Sequence, residues 1–438
     1  MAAVNGNARH NCNSASDLPI VVAGGGCVGL FLALLLTQSS IPNRVIVIEP
    51  EHPDPTSTRA MAHQPLIFPF FARAGLMPEL SRGGTFSSGI CFRTSAKNGS
   101  KLIAGKQFKE GEKSQLLLPQ GKFQEILMRK MEEAGNSKVL LGSRIVGLEQ
   151  REGIVEVHVQ DSTGNEGKIE AAYLIGADGS KSTVRRKLGL TFDGETLPAQ
   201  LVATDIKYDF HAHGFYDANF VIDPENYGLI GRITTDGLWR VSYGVPNELP
   251  EEEVRAGAED KIRAMLPDGG SSGYEVKRVA PYKAQQLCVE KFWTGRVGLC
   301  GDAAHLTNPY AGLGLASGIA DASSLAEVLV RVLTQQASDS EALLSSWSDA
   351  RRQKFLTVVD KPSRMAYARV KHSVETEEEI EALLARDPMV GALKKGMPVM
   401  PPSIETRGEE LAGCNSWDTL DAKHASLFFV HQRIEIGL

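Results

Sequence analysis

The chain has 438 residues, of which 42% are hydrophobic and 23% charged, with a formal net charge of −6. That balance belongs to an ordinary globular protein of roughly two or three domains, and it argues against a nucleic-acid partner, which calls for a basic face. Six scattered cysteines (Cys12, Cys27, Cys91, Cys288, Cys300, Cys414) form no CxxC pair, so the expectation is reduced thiols, a cytoplasmic setting and no metal site.

Residues 1–18 are polar and lack the basic start and apolar core of a signal peptide, which predicts a disordered tail. The longest apolar run, near residues 30–36, is too short to span a bilayer, so no membrane is expected.

Residues 19–23 (PIVVA) predict a short buried strand. Gly24-Gly25-Gly26-Cys27-Val28-Gly29 follows, then the apolar helix LFLALLL. This is a G-x-G-x-x-G turn with a strand before it and a helix after it. Gly24 suits the tight turn, Gly26 the approach of a pyrophosphate to the helix N-terminus, and Gly29 close packing of helix on strand. A second strand, residues 44–48, ends at Glu49, whose carboxylate can accept hydrogen bonds from ribose hydroxyls. Together these features predict a dinucleotide site.

A polar loop at 52–58 leads to Arg59-Ala60, where Arg59 is either a phosphate contact or a surface arginine, and then to a helix over 64–74. Residues 86–104 read as two strands joined by a Lys97-Asn98-Gly99 turn. Gln120 precedes a helix over 121–134. Two alternating strands (144–149 and 154–160) and a third (171–175) run into Gly176-Ala177-Asp178-Gly179, with Ser180 or Ser182 capping a following helix that carries Arg185. An acid and a glycine at the C-terminal end of a strand occupy the place where doubly wound folds hold ligands.

From residue 200 to 284 strands dominate (201–210, 218–222, 227–233, 239–245 and 274–284), interrupted by one helix over 251–265. This predicts an antiparallel sheet with one face covered. Its aromatic and histidine side chains are candidates to line a pocket for an organic substrate.

Residues 296–326 then give a strand (297–300), a turn at Gly301-Asp302, a loop broken by Pro309, and a long helix entered through Gly312-Leu313-Gly314. Small residues recur every fourth position at Gly314, Gly318, Ala322 and Ala326. One helix face is therefore thin, so that a flat ligand or another backbone can lie against it. Helices are expected at 340–357, 362–372 and 377–385, and an irregular tail over 396–416.

Three stretches, 24–49, 176–185 and 301–322, together resemble the FAD-dependent aromatic hydroxylases, the group A flavoprotein monooxygenases with the p-hydroxybenzoate hydroxylase-like fold. The resemblance covers about residues 19–352. It implies an α/β fold with a discontinuous Rossmann-like FAD-binding domain (19–85, 105–195 and 290–360), an inserted antiparallel-sheet substrate domain (86–104 and 196–289), and a helical, irregular C-terminal region (361–438). It further implies that Gly24, Gly26 and Gly29 hold the FAD pyrophosphate, Glu49 the adenosine ribose and Asp302 the ribityl chain. Arg59, Gln120 and Asp178 would touch cofactor. Pro309, Gly312, Gly314 and Leu315 would face the flavin, with Pro309 and Tyr310 bordering the substrate side. The chain departs from the family pattern at Asn308, Leu313 and Ala316.

The activity so implied is an NAD(P)H- and O2-dependent monooxygenase that forms a flavin C4a-hydroperoxide and hydroxylates an aromatic or polyketide-like small molecule, as monomer or homodimer. Epoxidation, Baeyer–Villiger insertion and oxygen-independent dehydrogenation are the alternatives, with a non-catalytic flavin escort as a further one. A base or phenolate-stabilising group should line the pocket; the candidates are Tyr216, Tyr227, His211, His213 and Arg232.

Overall fold

The computed structural model describes residues 18–397 and 403–411. The tail expected at 1–18 lies outside it except for Leu18, as do Cys12, Cys414 and much of the region expected to be irregular at 396–416.

Two sheets organise the molecule. The first has six strands in the order Trp293–Thr294, Val297–Leu299, Tyr173–Gly176, Ile20–Ala23, Val45–Glu49, Ser137–Leu141. Its pairings are parallel apart from the outermost one at Trp293–Thr294. The central strand Ile20–Ala23 is buried along its whole length, as a parallel strand covered on both faces must be. The helices Cys27–Gln38 and Gly314–Leu333 pack on each other over this sheet. The edge strand Ser137–Leu141 escapes the sequence reading because its SKVLL sequence follows directly on the Gly135 helix cap, with no loop to announce it.

The second sheet has eight strands: His305–Leu306, Glu275–Val289, Phe192–Lys207, Leu238–Pro246, Gly228–Arg232, Ala218–Ile222, Gly89–Thr94, Leu102–Gln107. The expected hairpin turn is a short 3-10 turn, Ala96–Asn98, ended by Gly99 with φ of 80°. The strand expected at 201–210 starts much earlier, at Phe192, and ends at Lys207. Its polar first half pairs along Glu275–Val289 with irregular register, which masks its period.

Side chains alternate across this sheet. One face (Val202, Ile206, Trp239, Val241, Tyr243) is sealed by the helices Glu251–Ala256 and Ala258–Met265; the single helix expected there breaks at Gly257. The other face carries small or polar residues, among them Ala203, Gly231, Ser242 and Gly244, and turns towards the first sheet's loops. A smaller three-stranded sheet (Ser143–Arg151, Ile154–Asp161, Glu166–Ala171) packs onto the main core through Ile145, Val155, Val157 and Ala171.

The helix Ser340–Lys354 continues through a π-helical stretch, Phe355–Asp360, into Lys361–Val370. Glu377–Arg386 follows with a Thr376/Glu379 capping box, and then Pro388–Lys394. No helix among the described residues is long and apolar enough to cross a membrane.

Candidate active site

The glycine turn joins Ile20–Ala23 to Cys27–Gln38. Gly24 has φ of 105°, and a Cβ on it would lie 2.3 Å from the Ala177 carbonyl oxygen. A Cβ on Gly29 would lie 2.0 Å from the Gly24 carbonyl oxygen. Both glycines are thus required by packing of the turn itself. Gly26 differs: a Cβ there would meet nothing within 4 Å. The space in front of the first helical N–H groups is open, at the positive end of the helix dipole, which suits a pyrophosphate. Gln124 Nε2 donates to the Gly25 carbonyl at 2.8 Å, and Gln120 donates to Gln124 at 3.2 Å, so Gln120 braces the turn from behind. Glu49 ends its strand half-buried and accepts hydrogen bonds from the Gly25 and Glu51 N–H groups.

Asp302 sits on the next loop of the same sheet edge. It retains exposed surface, yet desolvation raises its carboxyl above the ordinary range, with His305 opposing that rise. Cys27, in the first turn of the glycine-turn helix, has its thiol pushed up to about 12, chiefly by burial and further by the Asp302 charge. Asp302 therefore stands beside that helix start. The open cradle at Gly26, the carboxylates of Glu49 and Asp302, and the free N–H groups opening the Gly314–Leu333 helix form a donor and acceptor set that fits FAD.

The thin face of that helix has a different occupant from a flat ligand. A Cβ on Gly318 would lie 2.5 Å from Val28 and 3.2 Å from the Gly301 backbone, so the stripe lets the two helices and the Gly301 turn touch. Ala316 is buried in the main core, where an amide would need buried partners of its own.

Beneath the Gly301-Asp302 turn lies a buried polar group. Asp321 accepts from the Gly301 N–H (3.0 Å), from His305 Nε2 (2.7 Å) and from Arg351 Nε (2.8 Å). Burial alone would raise its carboxyl, but His305 and Arg351 outweigh that and hold it below the ordinary range. Arg185 reaches the same turn from the other side, donating to the Ala303 carbonyl at 3.0 Å. Asp178, expected at the cofactor, lies against the glycine turn, where a Cβ on Gly24 would come within 3.0 Å of its Cα. It accepts from Ser182 Oγ and from the Thr183 and Val184 N–H groups, capping the helix Thr183–Lys187.

The segment Thr307–Gly312 faces the open side of the large sheet. Asn308 caps the turn Pro309–Ala311 through the Tyr310 N–H, and Gly312 closes it with φ of 64°. A Cβ on Gly312 would lie 2.5 Å from Gln64 Nε2. Pro309 and Leu315 are half-buried, and Gly314 opens the long helix. Tyr310 is buried and its hydroxyl has no hydrogen-bond partner among the described residues. Its ring packs with Tyr227 and Tyr367 at 6.1 and 5.7 Å, and those two hydroxyls lie 3.4 Å apart. Tyr282 is exposed, but burial pushes its phenol up to about 12 against the opposing Arg240 charge.

Arg59 is exposed, and its backbone is held from the large sheet. Arg240 donates to the Arg59 carbonyl (3.1 Å), to Thr58 Oγ1 (3.1 Å) and to its cross-strand neighbour Asp205 (2.9 Å).

Of the candidate catalytic side chains only Tyr227 joins this cluster. His211 and Arg232 both converge on the buried Asp217, whose Oδ1 lies 3.0 and 2.9 Å from them. His213 pairs with Tyr208. Tyr216 packs over Gly89 and Gly105. Asp217, Tyr367 and the Asp205–Arg240 pair escaped the sequence reading; the available signal was a charged residue inside an apolar strand for Asp205 and Arg240, and none for Tyr367 on its helix. Among the described residues, one group of side chains has metal-ligand proximity, Glu149, Glu156 and His158 on the small sheet. There Glu156 is already engaged by Arg151, His158 and Lys168.

Comparison with known proteins gives three findings. Residues 17–361 match the family model described as FAD binding domain. Para-nitrophenol 4-monooxygenase of Pseudomonas sp. (strain WBC-3) is 35% identical over 360 residues, 81% of this chain and 87% of that protein. The 6-hydroxy-3-succinoylpyridine 3-monooxygenase of Pseudomonas putida (strain DSM 28022 / S16) is 32% identical, over 78% of this chain and 86% of its own. The crystal structure of p-nitrophenol 4-monooxygenase from Pseudomonas putida DLL-E4 superposes with a TM-score of 0.79 at 31% identity, covering 86% of this chain and 96% of that one.

Proposed function

The chain belongs to the FAD-binding domain family of flavin-dependent aromatic hydroxylases, and from that premise we propose that it hydroxylates a small aromatic ring with O2 and NAD(P)H. The observation that carries this reading is the meeting of three elements at one sheet edge: the open N-terminus at Gly26, the desolvated carboxyl of Asp302 beside it, and the Pro309–Gly312 turn facing the small-residue side of the large sheet.

In this reading FAD, when bound, accepts hydride from NAD(P)H and supplies activated oxygen. The protein's own residues do the rest. The first N–H groups after Gly26 hold the pyrophosphate, and Glu49 and Asp302 accept from the ribose and ribityl hydroxyls. The N-terminus of Gly314–Leu333 favours negative charge at the ring edge next to it. The Tyr227 phenol fills the space over Gly244, so a bound ring would lie against the small side chains of Ala203 and Ser242 beside it, where the packed aromatic wall excludes water.

Tyr310 supplies the missing polar contact to the substrate. A buried hydroxyl without a partner costs about 1–3 kcal/mol, and a ring oxygen on the substrate relieves it. Burial, reinforced by the neighbouring phenols of Tyr227, Tyr282 and Tyr367, keeps the Tyr310 phenol far above its ordinary value. It therefore stays protonated and donates. The relatives named for nitrophenol and hydroxypyridine substrates support a monocyclic ring bearing such an oxygen.

The test is a panel of phenols and hydroxypyridines assayed for stimulated NAD(P)H oxidation, with 18O2 as the oxidant. Label in the product supports a monooxygenase; turnover without oxygen, using another electron acceptor, would establish a dehydrogenase instead. Tyr310→Phe should raise KM for a hydroxylated ring about tenfold, as loss of one hydrogen bond of this class does, while flavin affinity is unchanged. A shift in flavin affinity with KM constant would remove Tyr310 from the substrate side.

A further inference from the structure

Asn308 and Gln286 form a fully buried polar node that the flavin and substrate assignments leave unused. Gln286 lies on the sheet strand Glu275–Val289. Its Oε1 accepts from Thr307 Oγ1 (2.9 Å), the Asn308 N–H (2.5 Å) and Asn308 Nδ2 (3.0 Å). Its Nε2 donates to Asp360 Oδ1 at 2.8 Å. Asn308 Nδ2 also donates to the Ser363 carbonyl at 3.0 Å, and its Oδ1 accepts from the Tyr310 N–H at 3.1 Å. One carboxamide oxygen thus serves three donors, a geometry with little tolerance for displacement.

The node joins three separate parts of the chain: the large sheet, the Thr307–Gly312 segment and the C-terminal helices. Its anchor, Asp360, ends the π-helical stretch Phe355–Asp360. Such π-helical insertions cost helix geometry and concentrate at functional sites. The same stretch places Phe355 against His305, with ring centroids 4.4 Å apart. It therefore holds the chain entering the Pro309–Gly312 turn at two points, at His305 through Phe355 and at Asn308 through Gln286. Arg364, paired with Asp360 and with Glu195 of the sheet, ties the far side. What leaves the node towards the cleft is one contact, on the backbone of Tyr310.

We infer that Gln286 and Asn308 are positioning residues for oxygen transfer: through the node the C-terminal π-helical turn sets where the Pro309–Gly312 turn stands, and so whether a bound ring receives oxygen or the reducing equivalents are lost as hydrogen peroxide. This rests on the monooxygenase reading above. Misplacement of a reacting pair by about 1 Å is worth up to about 100-fold in rate, so a small shift of this turn separates oxygen transfer from unproductive oxidation. Of the groups that would hold the flavin, the Gly26 turn, Glu49 and Asp302 lie outside the node, and the start of Gly314–Leu333 is fixed by that helix's own packing on Cys27–Gln38.

The experiment compares wild type with Gln286→Ala, Gln286→Glu and the pair Gln286→Glu/Asp360→Asn. Four quantities are read: the FAD dissociation constant, the thermal midpoint, amide exchange across residues 309–312, and product formed per NAD(P)H oxidised on a phenol that wild type hydroxylates. Gln286→Ala should raise exchange in the turn and cut product per NAD(P)H at least twofold, the balance appearing as hydrogen peroxide, with FAD affinity unchanged. Gln286→Glu sets two carboxylates face to face and should do the same. Adding Asp360→Asn restores a donor opposite the new carboxylate and should restore coupling. Product yield unchanged in both single variants, or falling only in step with thermal midpoint and FAD affinity, would reduce the node to a structural tie and overturn the inference. Exchange and FAD binding are read without turnover; a wild type that binds no FAD would sink the functional reading separately.

Discussion

At the scale of single residues, the site is built from side chains held in costly states for the sake of a ligand. Asp302 is the clearest. Desolvation raises its carboxyl, so the folded protein binds a proton more readily there than the unfolded chain does. Stability is then lost as pH rises through the interval between the unfolded and folded values, and the cost persists at neutral pH. Asp302→Asn should therefore raise the melting temperature of the flavin-free protein at pH 7, with the gain vanishing at pH values below the ordinary carboxyl range. The same change removes a charged acceptor from the cleft and should weaken FAD binding about tenfold or more. Melting curves with and without FAD, at two pH values, check both signs. Asp178 is a different case: both of its oxygens accept bonds from its own helix, and a carboxyl at a strand end serves such capping as readily as a ligand, which sequence position alone does not separate.

At the scale of elements, the sequence carried the glycine turn, the Gly301-Asp302 turn and the helix that follows because each depends on local backbone geometry. The use made of the thin helix face was not legible, since period-four small residues admit either a ligand or a neighbouring helix. The structure puts Val28 and Gly301 there. Gly318→Ala tests this. Alanine gains about 1 kcal/mol in helix propensity over glycine, but its Cβ would sit 2.5 Å from Val28, and overpacking of that kind costs about 1–3 kcal/mol. The single variant should be destabilised by about 1 kcal/mol on these figures. In a Val28→Ala background, where the colliding methyl is gone, the same substitution should be neutral or stabilising. Denaturant unfolding of the four proteins gives the coupling directly. The tyrosine cluster was half-legible for a similar reason. Tyr227 and Tyr310 were visible as aromatics near the right motifs, but Tyr367 arrives from a helix 140 positions beyond Tyr227, and no local pattern encodes that meeting.

At the scale of the whole molecule, the question is what keeps the two sheets in register across the cleft. Asp205 and Arg240 face each other across paired strands of the large sheet, and Arg240 continues to Thr58 and to the Arg59 carbonyl on the loop from the parallel sheet. The pair is a strut between the large sheet and the loop that carries Arg59. Its energetics separate stability from function. Arg240→Met leaves Asp205 buried with Thr58 and a more distant Arg278 at 3.5 Å, and removing one partner of a buried ion pair costs about 3–5 kcal/mol. Asp205→Asn together with Arg240→Met discharges the remaining carboxylate, so most of that loss should be recovered. The loop, however, keeps only its Thr58 bond to residue 205 and has lost both Arg240 contacts, and FAD should remain more weakly bound than in wild type. Thermal unfolding of the flavin-free proteins and flavin fluorescence titration read the two quantities apart. Full recovery of both in the double variant would make the strut a matter of folding alone; recovery of stability with weak flavin binding places Arg240 in the machinery that aims the Arg59 loop at the cofactor.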